Sequence, residues 1–267
     1  MSRPSAGTEY HLGTCGWSFA DWRGSFYPEG CKDELAYYAT CFGTVEIDST
    51  WYRIPSHRTV ASWAKRVSPG FLFCPKLPGE ITHDRLLVDA GEPLERFWEV
   101  IQGLGGKLGP VLVQLSPHFA AADAPRLEEF LRALPGPQRY AVEFRHRSWA
   151  TDDRGLAILR QAGAALVMAD HPWYPRFEAV TTDFAYLRLL GRRGVFPDFA
   201  HTHRTRDSDL ERWVGVLQGL GDDVGQVFVF ANNQFEGHSP ATVMRLAELL
   251  GVGERTGSGA PSPRLAF

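Results

Sequence analysis

The chain has little cysteine. Cys15, Cys31, Cys41 and Cys74 are its only thiols in 267 residues, and none stands in a CxxC or other metal-type spacing. So few in so long a chain argue against a disulfide scaffold and for reduced thiols of a cytoplasmic protein, most of them small core hydrophobes. Long hydrophobic runs are missing too. No apolar stretch approaches the ~20 residues that a membrane-crossing helix needs, and the polar opening MSRPSAGTEY has no signal-peptide centre, so no membrane partner is expected. Nor is there an excess of one charge: 28 basic residues against 31 acidic give a formal net charge of −3. That balance excludes a generic nucleic-acid or anionic-membrane surface and leaves room only for local basic patches.

What is present is a series of eight apolar runs that each end in chemistry. HLGTCG leads to Trp17, TVEIDS carries Glu46 and Asp48, FLFCP stops at Lys76, and VLVQL holds Gln114. YAVEFRH then supplies Glu143, Arg145 and His146, ALVMAD ends on Asp170, AYLRLLG contains Arg188, and VFVFANN closes on Asn232 and Asn233. Strands of a parallel sheet are buried on both faces and read as near-continuous apolar runs. Between them lie helix-period segments: HRTVASWAKRV, LERFWEVIQGL, APRLEEFLRAL, DDRGLAILRQAG, SDLERWVGVLQGLG and SPATVMRLAELLG. Gly163, Gly221 and Gly251 stand where such helices should stop. The alternation predicts an α/β fold, a closed (β/α)8 TIM-type barrel in a single domain spanning residues 11–251. Residues 1–10 and 252–267, rich in Gly, Ser and Pro towards the C-terminus, are expected to be mobile tails.

In such a barrel the C-terminal strand ends share one mouth. Residues two apart in a strand face the same way, so Glu46 and Asp48 should point together, as should Glu143 and Arg145. His83, after the ITH turn, joins this set. Glu46, Lys76, His83, Glu143 and Asp170 are the candidate catalytic groups, and Gln114, Arg145, His146, Arg188, Asn232 and Asn233 are candidate substrate ligands. A self-satisfying buried polar layer explains any one pair, but polar groups recurring on nearly every strand end favour a site.

Aromatics cluster on the same loops. Trp17, Trp22, Trp51, Tyr52, Trp149, Trp173 and Tyr174 follow strands, and Trp17, Tyr52 and Trp149 are taken as ligand-stacking candidates for a flat or sugar-like group. After the seventh strand, RLLGRRGVFPDFAHTHRTR places Arg192, Arg193, Arg204 and Arg206 against one acid, Asp198. A phosphate site there would use guanidinium forks, together with Lys76, Arg145 and Arg188 at the strand ends. His201 and His203 form an HxH pair, a weak metal signal that leaves a divalent metal open and names no firm ligand.

GTCGWSFADWRGSFYP, TVEIDSTWYRIP, FCPKLPGEITH, VLVQLSPHF, YAVEFRHRSW, ADHP and FANN, in this order, resemble the YecE-like family, the domain of unknown function numbered seventy-two. The resemblance covers roughly residues 11 to 250 and implies a barrel. It also implies a shared polar set that falls here on Trp17, Glu46, Thr50, Tyr52, Lys76, His83, Gln114, Glu143, Arg145, His146, Trp149, Asp170, Arg188, Asn232 and Asn233. Three positions depart from the family pattern: Asp48 where Asn is common, Trp51 where Phe is common, and Leu190 where many members have His.

The expected function is therefore an enzyme with hydrolase- or lyase-like acid-base chemistry on an anionic phosphate- or sugar-containing small molecule, such as a nucleotide or a nucleic-acid-derived substrate. Glu46 and Glu143 would be tuned apart as acid and base, Lys76 would neutralise a phosphate or form a Schiff base, and His83 would move a proton. Phosphodiester cleavage by analogy with metal-dependent barrel endonucleases is a fold-level argument only, and Lys76, Arg145 and Arg188 crowd the mouth against a multi-metal site. Two alternatives stand beside it: a glycoside-type hydrolase built on Glu46 and Glu143, and a non-catalytic module that binds a small anion.

Overall fold

A computed structural model of the chain describes residues 7–252. Among the described residues, each of the eight apolar runs is a strand: β1 (Glu9–Thr14), β2 (Thr44–Ile47), β3 (Leu72–Pro75), β4 (Val111–Gln114), β5 (Tyr140–Glu143), β6 (Ala165–Asp170), β7 (Phe184–Leu189) and β8 (Gln226–Ala231). Every paired strand runs parallel to its neighbour. β1 begins at Glu9, inside the stretch assigned to the N-terminal tail; residues 1–6 and 253–267 of the two tails lie outside the described residues.

The expected closed barrel is not formed. Six strands make one curled, open sheet in the order β1-β8-β7-β6-β5-β4, and β2 and β3 make a separate two-stranded sheet. Only isolated bridges join the two, Cys15 to Glu46 at one seam and Phe73 to Leu108 and Lys76 to Leu112 at the other. Each seam has a local cause. Between β1 and β2 the Tyr38 hydroxyl accepts from the Thr14 N–H at 2.9 Å and donates to the Thr44 carbonyl at 3.0 Å, replacing a direct backbone bond. Between β3 and β4, Phe73 O accepts from Gly109 N and Leu77 N donates to Leu112 O. Pro75 therefore sits on the β4-facing side with no N–H to give, which removes one rung.

Loss of the Tyr38 hydroxyl should be felt directly. Tyr38→Phe leaves a buried donor and a buried acceptor to find each other, an expected cost of about 1–3 kcal/mol in chemical or thermal denaturation. An unchanged midpoint would mean that Thr14 and Thr44 can pair without the hydroxyl.

The helices cover the outer face of the strands, except the short α2, which lies at the mouth. They are α1 (Glu34–Cys41), α2 (Ser49–Tyr52), α3 (His57–Lys65), α4 (Gly91–Ile101), α5 (Ala124–Ala133), α6 (Arg154–Ala162), α7 (Asp207–Gln218) and α8 (Ser239–Leu250). α4 shows the local logic: Pro93, Leu94, Phe97, Val100 and Ile101 recur at helical spacing and are the buried face. Gly163 and Gly251 end α6 and α8 in the left-handed conformation, as expected, whereas α7 stops at Gln218, before Gly221. Inside the curl a second, smaller core packs Cys15, Cys74, Leu112, Ala141, Val167, Tyr186, Phe228 and Phe230. These inner residues plug the fold from below, so only the carboxyl ends of the strands are left for a ligand, as in open α/β sheets generally. No helix of the described residues is long and apolar enough to cross a membrane.

Candidate active site at the carboxyl ends of the strands

The floor of the site is an ion-pair layer set by strand parity. The inner core takes alternate residues of each strand, and the next inward positions are Glu46 and Asp48, Lys76, Gln114, Glu143 and Arg145, and Arg188. Arg188, 2% exposed, lies between Glu46 and Glu143, both fully buried. Its Nη2 is 2.6 Å from Glu46 Oε1, its Nε 3.0 Å from Glu46 Oε2, and its Nη1 2.6 Å from Glu143 Oε2. The Tyr186 hydroxyl donates to Glu46 Oε2 at 2.7 Å, while Glu143 Oε1 accepts from Arg145 Nε at 2.6 Å and from Gln114 Nε2 at 3.2 Å. All four carboxylate oxygens are thus occupied. Burial works to raise the Glu143 carboxyl, yet Arg145 and Arg188 together hold it well below the usual carboxylate range. For Glu46 burial dominates and pushes the carboxyl up, with Arg188 opposing.

Above this floor is a cavity of about 460 Å³ whose lining includes Asp48, Lys76, His83, Gln114, Arg145, His171, Arg188 and Asn232. Trp51, Tyr52, Trp173, Tyr174, Leu190 and Arg193 form its walls and rim. Lys76, 8% exposed, projects its Nζ here, and the nearest carboxylate oxygen is Asp48 Oδ1 at 3.8 Å, beyond hydrogen-bond range. That oxygen is itself buried with no hydrogen-bond partner among the described residues. Burial pulls the Lys76 ammonium down to about 8, only partly countered by Asp48. Thr50 fixes the lysine's backbone, accepting from Lys76 N at 3.1 Å and approaching Lys76 O at 2.7 Å. The Trp51 ring lies 5.1 Å from Nζ, and Gly79 permits this packing because a Cβ there would sit 2.8 Å from the indole.

Two histidines in the cavity are held neutral near pH 7. Burial lowers His83 to about 4, with Lys76 adding to the effect, and burial followed by Arg145 does the same for His171. His83 lies on a π-helical turn, Glu80–Asp84, with its Nδ1 2.9 Å from Thr82 Oγ1. Arg145 spends Nε on Glu143 and stacks its guanidinium 4.5 Å from the Tyr174 ring, which leaves its terminal nitrogens without a carboxylate partner among the described residues.

Several expected site residues are elsewhere. Asp170 is out of step with the inward residues Ala165 and Val167 of its strand and points to α7. There it takes Arg206 Nη2 at 3.0 Å, Arg176 Nη2 at 3.2 Å, Arg212 Nη2 at 3.4 Å and Trp213 Nε1 at 2.8 Å. It anchors a helix and is no acid or base of the mouth. Trp17 packs edge-on against Trp63 and Phe73. His146 accepts from Ser148 N and caps a short 3-10 turn, and Trp149 donates to Phe119 O while stacking on Phe144. Asn233 Oδ1 receives Trp22 Nε1, Ser239 N and Ser239 Oγ, so it staples the start of α8. In their place the cavity contains His171, which sequence reasoning missed: it is the next inward position after Ala169, one step past the chosen Asp170. Asp170→Asn is accordingly expected to lower stability by about 1–3 kcal/mol in a denaturant melt while leaving ligand binding at the mouth unchanged. Parallel loss of binding at full folding would return Asp170 to the site.

Among the described residues, two groups offer metal-type donors. Cys15, Glu46 and Asp48 converge, but both Glu46 oxygens are taken by Arg188 and Tyr186, and the Arg188 guanidinium reaches to 3.9 Å from Cys15 Sγ, so this set does not suit a cation. Asp198, His201 and His203 form the other group, with His203 Nε2 3.1 Å from Asp198 Oδ1. Its residues are not among those lining the cavity.

The family described as "Protein of unknown function DUF72" matches residues 11–266. A protein of Escherichia coli strain K12, UPF0759 protein YecE, is 31% identical over 157 residues, 55% of this chain and 57% of that protein, so the alignment spans little more than half the relative's length. UPF0759 protein YunF of Bacillus subtilis strain 168 is 25% identical over 270 residues, covering 91% of this chain and 95% of that one. Among solved structures, a DUF72 family protein from Thermotoga maritima superposes with a TM-score of 0.79 at 29% identity, over 91% of this chain and 99% of that chain. One from Enterococcus faecalis gives 0.74 at 22% identity, over 91% and 96%, a likeness of fold alone.

Proposed function

We propose, from the premise that this chain belongs to the family of proteins of unknown function DUF72, that the cavity above the Glu46–Arg188–Glu143 layer is an active site. Its substrate is a small anionic molecule carrying a phosphate or sugar group, and its chemistry is acid-base catalysis of the hydrolase or lyase kind. One observation carries this reading: a nearly buried lysine with no hydrogen-bond acceptor among the described residues opens onto a cavity that also holds Arg193 and the terminal nitrogens of Arg145, whose Nε is paired with Glu143, and whose facing carboxylate is Asp48.

The charge balance supports an anion. Arg188, expected in the anion site, is consumed by Glu46 and Glu143, so it belongs to the floor. Left for a ligand are Lys76, Arg193 and the terminal nitrogens of Arg145, whose Nε already serves Glu143. Guanidinium forks match phosphate or carboxylate oxygens, and the recess weakens competition from water at Lys76 and Arg145, while Arg193 is exposed at the rim. Trp51, Tyr52, Trp173 and Tyr174 supply flat surfaces for a sugar or base, and the volume suits a molecule of nucleotide size or smaller. The acid-base pair also shifts. Glu46 and Glu143 are buried and bonded at every oxygen, which withdraws support from a glycosidase built on them; Lys76, with Asp48 beside it, is the group poised to exchange a proton near neutral pH.

The test has two arms. Calorimetric titration of inorganic phosphate and ribose 5-phosphate should show binding that weakens at least about tenfold in Arg193→Ala and in Arg145→Ala, each a loss of one charge-assisted contact. Phosphorus NMR of a sugar-phosphate panel should then show turnover that Lys76→Met abolishes. Absence of phosphate binding refutes the site, and binding without turnover of any member leaves a binding module in place of an enzyme.

A further inference from the structure

Resting on that reading of the cavity, we infer that Lys76 is a covalent catalyst: its ε-amine condenses with the carbonyl of a phosphorylated aldehyde or ketone to form a Schiff base.

Lysine is rare in this chain, which makes its presence here informative. The chain has 28 Lys and Arg residues, of which only Lys32, Lys65, Lys76 and Lys107 are lysine. Its other cations at the cavity are all arginine, which grips oxyanions better than lysine does; what lysine adds is a nitrogen that can lose its proton and form a bond. The two inward-reaching lysines differ in how they are settled. Lys107 directs its Nζ onto the carbonyls of Ala64 and Val67, the usual way to settle a partly buried ammonium. Lys76 is more deeply placed, faces open cavity and makes no hydrogen bond through Nζ among the described residues; Asp48 Oδ1 at 3.8 Å is near without engaging it. A buried ammonium left without acceptors is destabilised, and the amine is the form that such a site selects. With Lys76 near 8, roughly 300 times more of it is free amine at pH 7 than for an ordinary lysine.

Asp48 and the lysine itself supply every proton the step needs. The ammonium passes a proton to Asp48, the amine adds to the carbonyl carbon, and the C–N bond forms as the carbonyl π pair moves to oxygen. Two of the three ammonium protons, carried across by Asp48, end on that oxygen, which departs as water. The third stays on the iminium nitrogen, and net charge is unchanged. Arg145 and Arg193 would hold the substrate's phosphate during this exchange. The iminium then acts as an electron sink for cleavage or proton loss next to the former carbonyl carbon, which places the reaction on the lyase side of the proposed function.

Borohydride trapping tests the inference. The full chain is incubated at pH 7 with glyceraldehyde 3-phosphate and sodium borohydride, then examined by intact mass and peptide mapping. The expected result is one adduct per chain, on Lys76, suppressed by excess inorganic phosphate and absent in Lys76→Met and Lys76→Arg. Labelling on the exposed Lys32 and Lys65 with none at Lys76 overturns it. The two readings separate cleanly. Phosphate binding with no Lys76 adduct defeats the covalent role alone, whereas an adduct with unphosphorylated glyceraldehyde in the absence of phosphate binding defeats the anion site and keeps the covalent lysine.

Discussion

Replacing Arg188 by methionine is expected to cost the fold about 3–5 kcal/mol, the range for removing one partner of a buried ion pair. The effect should sit at the high end, because this one guanidinium serves two carboxylates that have no exposure. The two are not left equal. Glu143 keeps Arg145 and Gln114, whereas Glu46 keeps no cation among the described residues, only the neutral Tyr186 hydroxyl and Cys15 thiol. Glu46 must then take up a proton to remain buried. Its folded pKa would lie far above its unfolded value, so the variant's stability would be greatest below the unfolded carboxyl value and fall as pH rises from there through the raised folded one. Thermal melts at pH 5 and pH 8 read both effects: a midpoint lowered by roughly 6–20 °C, with the larger drop at pH 8. Adding Glu46→Gln should restore part of the loss and flatten the pH dependence. A loss under about 1 kcal/mol would mean that the layer is hydrated and that its charges are not truly buried.

Lys76→Met is expected to do the reverse. Burial has drawn the folded lysine to about 8, below the ordinary value near 10.5, so folding costs stability wherever the unfolded lysine is charged. The sign follows from proton counts. Between about pH 8 and 10.5 the unfolded chain holds more protons than the folded one, so stability contributed by this group rises with pH, and the penalty is fully present below about 8. Removing the amine relieves up to about 3 kcal/mol at pH 7, part of which is lost again because Asp48 forfeits its neighbour. The variant should therefore melt higher at pH 7, by several degrees, and bind no phosphate. Higher stability with lost binding is the signature of a residue kept for its chemistry. A variant that melts lower would place Lys76 among the structural ion pairs.

The histidines give the chain an acid limit of the same cause, burial of a group that becomes cationic. His83 and His171 are near 4 when folded and near 6.5 when unfolded, so the unfolded chain gains protons first as pH falls. Stability they support above about 6.5 should decline between 6.5 and 4.

Much of this was legible in the sequence. All eight strands stand where apolar runs predicted them, and the pairing of Glu143 with Arg145 followed from their spacing of two. The same parity, applied strictly, would have rejected Asp170 and chosen His171. What sequence periodicity could not carry was the meeting of distant groups. Arg188 reaches Glu46 across 142 positions, and no local pattern announces that both carboxylates will spend their charge on it. The open seams are equally non-local: the Tyr38 hydroxyl comes from a helix 24 residues beyond the strand that it separates from its neighbour. A count of strands therefore predicted a closed barrel, while the hydrogen-bond ladders stop at two places for reasons that lie in single side chains.

The most direct measurement of the central claim is heteronuclear NMR of the four lysine side chains across pH, with and without inorganic phosphate. One lysine, absent from the spectrum of Lys76→Met, should titrate near 8 in the free protein and shift upward with phosphate bound, because a nearby anion stabilises the ammonium. Four lysines that all titrate near 10.5 and ignore phosphate would contradict the account.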